Sequence, residues 1–258
     1  MNTPQPNCFA AARGLWTLTW RTKLTWKRLL PLIGNMAAIP AFASFVIEPG
    51  EVRNFYYILI DLYLFLVVPI FCLSNFGAMI RDELQGDTMT FLITRPVTRA
   101  RVFLLKYVAL TLWLQIIVFG NGVAFWAAGS FLRVPDIGSL ITLLIMVQAL
   151  AVVAFGALTS LIGLFTQKYL IAGVVYGFIV EFGIGQIPTN INVLSISRHL
   201  KTFMARNPEL ASLYDWTTEG SWSSLMIVLG GTVLFLLLGA LLFTFREYHH
   251  TEEVQKGS

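Results

Sequence analysis

Asp61 and Glu181 are two carboxylates that stand inside long apolar stretches of the chain. A charged side chain at bilayer depth costs about 2.5–3.5 kcal/mol on insertion scales, so it tends to mark a cavity, an interface or a snorkelling position. With the spans and orientation given by the rest of the sequence, both acids fall at similar depth in the outer half of the membrane. They are candidates to face a cavity or an interface there. The alternative is that both snorkel to the outer headgroups.

The segment from Arg81 to Lys106 carries the other pattern with chemical content. Acidic residues Asp82 and Glu83 come first, then Gly86. Asp87 can cap a short helix, because its carboxylate accepts the free amide hydrogens of a first turn. Met89, Leu92 and Ile93 give that helix an apolar face at spacings of three and four. Arg95 precedes Pro96 and is biased away from helix, so the helix ends there. Such a helix is too short to span and too apolar to stand free. It wants a groove on a partner protein or a place on the inner leaflet.

Catalytic constellations are missing. The chain has no G-x-x-x-x-G-K-[ST], H-E-x-x-H, G-x-S-x-G or C-x-x-C, the patterns of phosphate loops, zinc proteases, serine hydrolases and redox pairs. His199, His249 and His250 all lie outside the apolar stretches. The last two, with Glu247, Glu252 and Glu253, read as a solvated tail. The chain is expected to be no enzyme and to hold no cofactor or metal.

The elements that position these residues follow from composition. Of 258 residues, 56% are hydrophobic and 12% charged, and the mean hydropathy is +0.71. A soluble domain carries roughly 25% charged residues. This chain cannot cover itself with polar groups, so part of its solvent is lipid. That excludes a disordered chain, a disulfide scaffold and a cytosolic enzyme. The net charge of +4 reads as membrane orientation rather than nucleic-acid binding. Cys8 and Cys72 lie at different depths and are not expected to pair.

A membrane helix needs about 20 mostly apolar residues. Six candidates follow, roughly 30–47, 55–80, 107–131, 139–165, 169–186 and 224–245. The expected fold is all-α and polytopic, one transmembrane domain over 1–258. No cleavable signal peptide is apparent, and the first span is expected to act as its own insertion signal. Of the 18 Lys and Arg residues, 13 fall on the side of the termini and of the 81–101 loop, and 5 on the other. The positive-inside rule then puts both termini in the cytoplasm. Trp16, Trp20 and Leu24 recur at spacing four within 9–28, which reads as an interfacial helix. In the long outer loop, 187–222, Val193, Ile196, Leu200, Phe203 and Met204 mark a short amphipathic helix. Asn75, Gln115, Asn121 and Gln148 are expected to hydrogen-bond between helices. Gly156-x-x-x-Ser160 and Gly173-x-x-x-Gly177 are expected to allow close helix approach.

In this setting the loop resembles that of the ABC type-2 permeases, the transmembrane subunits of ATP-binding-cassette exporters. Their loop after the second span runs from an acid through Gly-Thr, then eight residues from Thr to Pro, three to Arg and seven to Lys. Glu83, Gly86, Thr88, Pro96, Arg99 and Lys106 keep those last three spacings. Two positions depart: Asp87 and Leu105 stand where the family usually has glycine. The resemblance implies that this chain is half of a membrane pathway, lined by the second and fifth spans, so that Asp61 and Glu181 are expected to flank an outer gate. It implies a second permease copy, identical or paralogous, and two separate P-loop ATPase subunits that supply ATP and Mg and dock under the loop helix. It also implies export across a bacterial inner membrane. Two other readings stay open: a proton-coupled secondary transporter using Asp61 and Glu181, and a non-transporting scaffold or assembly factor.

Overall fold

A computed structural model describes residues 13, 14, 16, 17, 20, 34, 38–79, 98–183, 193–218 and 220–245. The described residues contain helices and no strands. A helical run at 38–46 is followed by α1 (Val52–Phe76), α2 (Arg99–Phe131) and α3 (Ile137–Phe165). Then come α4 (Tyr169–Gly183), α5 (Ile196–Met204), α6 (Pro208–Tyr214) and α7 (Ser221–Phe245).

Four of these, α1, α2, α3 and α7, are long and apolar enough to cross a membrane. The chain is an integral membrane protein by these spans. The six-span expectation is met in part. The stretch 30–47 is described only at 34 and from 38 onward. Of the span expected at 169–186, eight residues of α-helix running into seven of π-helix are described, as far as Gly183. α2 begins at Arg99, eight residues before the expected 107, where Thr98 is extended at φ −65°, ψ 142°.

α3 is the central helix. Ala151, Val152, Ala154, Phe155 and Ala157 are all fully or almost fully buried, because α1, α2, α4, α5 and α7 all pack on it. Small residues permit this. A Cβ at Gly156 would press on the Phe76 ring, one at Gly163 would collide with the backbone of Gly77, and one at Gly173 would meet Leu73. Gly177 meets nothing within 4 Å, so the second half of its expected motif is not used within the chain.

Polar groups at membrane depth find partners across the α1–α2–α3 junction. Gln115 Nε2 donates to Ala149 O at 2.9 Å and Gln148 Nε2 to Val118 O at 3.1 Å. The Tyr63 hydroxyl lies 3.2 Å from Gln148 Oε1. Asn121 is buried, and its Oδ1 has no donor among the described residues. Bonds of this kind hold membrane helices together at about 0.6–2 kcal/mol each. Asn75 Nδ2 donates back to Phe71 O, one turn earlier in its own helix. Trp16 and Trp20 stack at 5.6 Å, and Trp20 meets Trp113 of α2 edge-on at 5.4 Å. The described part of the N-terminal helix thus lies against a span; Leu24 falls outside the described residues.

Candidate functional site

α1 and α4 run so that Asp61 and Glu181 come to the same end of the bundle, the end that carries α5 and α6. Each acid sits in a π-helical segment, Asp61 in Ile58–Val67 and Glu181 in Gly177–Gly183. A π-segment is an uncommon, widened turn that tends to occur at functional sites. In α1 the cause is visible. Pro69 opens the following α-helical stretch, has no N–H and would clash with the carbonyl four residues back in a regular helix. The widened register ahead of it relieves that clash.

Glu181 is buried and fully engaged. Oε1 accepts from the Tyr176 hydroxyl at 3.0 Å and from Ile196 N–H at 3.2 Å. Oε2 accepts from Ser195 Oγ at 2.8 Å and from Ser197 N–H at 2.9 Å. Ser195 in turn caps α5, its Oγ accepting Arg198 N–H at 3.2 Å. A carboxylate at a helix N-terminus meets both free amides and the positive end of the helix dipole. Glu181 therefore fastens α5 to α4. Its carboxylate is turned inward onto the start of α5, and the residue is 8% exposed.

Asp61 is exposed on α1. Its Oδ2 accepts the Tyr214 hydroxyl at 2.9 Å, and α6 is tied to α1 again by the Tyr56 hydroxyl donating to Glu209. α6 starts at Asn207, whose Oδ1 accepts Glu209 and Leu210 N–H at 3.0 and 3.1 Å. Pro208 stands just inside the start, where its missing N–H costs nothing. Sequence reasoning expected one amphipathic helix in this loop and found α5, with Ile196, Leu200 and Met204 buried and Val193 exposed ahead of the helix. It missed α6, although Asn207-Pro208-Glu209 was a readable start signal.

Lys201 lies within the electrostatic reach of both acids. Its ammonium lies over the rings of Phe65 and Trp216, 5.4 and 5.9 Å from their centroids. Burial holds the ammonium below its ordinary value, and the charges of Asp61 and Glu181 pull it back up. Burial, then Asp61, raises the Tyr214 phenol. His199 completes the docking. Nε2 is 2.9 Å from Val193 O and Nδ1 is 3.1 Å from Ser224 Oγ of α7. A carbonyl only accepts, so the neutral ring carries its proton on Nε2 and Nδ1 accepts from Ser224. Burial lowers the His199 value.

Glu83, Gly86, Asp87, Thr88, Met89, Leu92, Ile93, Arg95 and Pro96 fall outside the described residues. Arg99 opens α2. Lys106, the last residue of the loop pattern, is buried and its Nζ donates to Met79 O at 3.2 Å. It ties the first turns of α2 to the end of α1, which are the two feet of the loop. Among the described residues no group of three or more His, Cys, Asp or Glu side chains is placed to hold a metal ion.

A cleft of about 100 Å3 opens between α1, α3 and α4, lined by Phe65, Leu66, Leu158, Tyr176, Phe178 and Glu181 among others. The sequence family described as ABC-2 family transporter protein matches residues 21–184, from the N-terminal helix through α4. No curated protein matches the chain.

Proposed function

The chain belongs to the ABC-2 transporter family, and from that premise we propose that it is one half of an ATP-driven exporter. The observation that carries this reading is the family match over 21–184, a stretch that includes the Glu83–Lys106 spacing running from the loop after α1 into α2. In this reading the chain has six spans, counting 30–47 and α4, with both termini cytoplasmic in a bacterial inner membrane. The 81–101 loop is the coupling helix. Two separate P-loop ATPases supply ATP and Mg and press on it, and Lys106 carries the push into α1 and α2 together.

A second permease copy completes the pathway. A typical ligand site takes about 300–1,000 Å3, whereas the cleft between α1, α3 and α4 is about 100 Å3 among the described residues. α4 exposes Leu170, Val174, Phe178 and Phe182 along its length, in the helix that the family resemblance puts at the pathway. Identical or paralogous, the partner would supply the second wall.

α5 and α6 form the outer gate in this reading. Asp61 and Glu181 hold them on α1 and α4, the two pathway helices, so movement of either helix is transmitted to the cap. Proton coupling is less well supported, because Glu181 already accepts four hydrogen bonds and protonation would break them. The test is co-purification. Native membranes solubilised in mild detergent should yield a stoichiometric P-loop ATPase with this chain, and its absence from a folded, oligomeric preparation would defeat the reading.

A further inference from the structure

Lys201 stands where two unlike surroundings meet. On one side are the faces of Phe65 and Trp216, whose ring quadrupoles attract cations. On the other is Asp61, four residues before Phe65 on α1, with the neutral Tyr214 hydroxyl on its Oδ2. Trp216 is braced in place by stacking on Tyr214 at 4.4 Å and by an edge contact with Phe65 at 6.3 Å. Two rings and an exposed carboxylate make a place for a cation, and the chain's own flexible side chain fills it. Asp61 and Glu181 both bear electrostatically on this one ammonium, so a second anion gains nothing here. Phe65 and Glu181 also line the cleft below, whose other walls include Leu66, Leu158 and Phe178. Glu181 is saturated, so the cleft offers a ligand apolar contact and little else. Its volume suits a slim alkyl group.

We propose that the Phe65–Trp216 ring pair beside Asp61 recognises the head of a lipophilic ammonium ion, whose apolar tail lies in the cleft below, and that Lys201 is the tethered cation it displaces. The exporter reading then acquires a cargo class, cationic amphiphiles, and for transport the proposal rests on that reading. Binding itself needs no ATPase.

The experiment measures equilibrium binding of octyltrimethylammonium and of octanesulfonate to the full chain in lipid nanodiscs, without nucleotide, against empty nanodiscs. The two probes share a tail and differ in charge. The wild-type chain should bind the ammonium saturably and the sulfonate not at all. Asp61→Asn keeps an acceptor for Tyr214 and removes the charge; it should weaken ammonium binding about tenfold. Phe65→Leu keeps the apolar wall and removes the ring, and should weaken it about 2- to 30-fold, the range of a cation–π contact. Lys201→Gln should tighten it, because the competitor is gone. Saturable sulfonate binding, or weaker ammonium binding in Lys201→Gln, would overturn the proposal. Because Leu92→Asp with Ile93→Asp should abolish ATPase association and leave probe binding intact, failure of the exporter reading and failure of this one are separable.

Discussion

The carboxylate of Glu181 closes on the backbone amide of Ser197 at 2.9 Å, so a residue of an apolar helix serves as the anchor of α5. Three further donors converge on the same carboxylate. Hydrogen bonds to a charged group are worth about 1.5–3 kcal/mol each. Glu181→Ala should therefore undock α5, seen as faster amide exchange over 196–204 while exchange in α3 stays unchanged. Glu181→Gln keeps acceptor geometry on one oxygen and should give a smaller effect. Equal exchange in wild type and Glu181→Ala would remove the anchoring role.

His199 makes the docking sensitive to pH. Its ordinary value is 6.5, and burial lowers it in the docked cap. Above that value the ring is neutral whether the cap is docked or not. As pH falls below about 6.5, the undocked ring takes up a proton that the docked ring refuses. Docking is thus fully present above 6.5 and weakens as pH falls toward the depressed value. His199→Gln can still donate to Val193 O and accept from Ser224. Its exchange over 196–204 should lose the acid-side rise; an unchanged rise would assign the pH dependence to another group.

Lys106 makes a mechanical prediction at the other end. Its ammonium bridges α2 to Met79 O. Lys106→Met fills the same space without the donor. It should leave insertion and oligomerisation intact and lower the stimulation of the partner ATPase several-fold. Undiminished stimulation would show that the two feet of the loop need not move together.

Two glycines make a paired test. Gly163 faces the Gly77 backbone and has no room for a Cβ, whereas Gly177 faces open space. Overpacking costs about 1–3 kcal/mol, so Gly163→Ala should lower the melting temperature in detergent. Gly177→Ala should leave it unchanged or raise it, since it removes a flexible residue from a helix. A reversed order would contradict the α1–α3 packing.

Apolar run length made α1, α2, α3 and α7 legible as spans, since it is a local sum over sequence. The same arithmetic put Asp61 and Glu181 at one depth. It could not say what they touch. The donors to Glu181 at Ser195–Ser197 lie across a loop, and the partner of Asp61 is Tyr214, 153 positions away. Those contacts depend on how α5 and α6 fold back, which no periodicity within α1 or α4 encodes. Nor did the residues announce the π-segments, although Pro69 in mid-span was the available signal. Gln115 and Gln148 were readable as interhelical partners because a buried amide at membrane depth must find one. Lys106 entered as a spacing in the loop pattern, and its bond to Met79 supplies the physical reason for a lysine there. The loop residues Glu83–Pro96 lie outside the described residues and rest on sequence alone.

The most direct test of the central claim is recovery of the chain from its native membrane with whatever binds it. The account predicts a P-loop ATPase at equal stoichiometry with the permease, lost when Leu92 and Ile93 are both changed to Asp while the chain remains folded and paired. Recovery of a folded, paired chain with no ATPase would contradict it and turn the 81–101 loop into a membrane-surface helix.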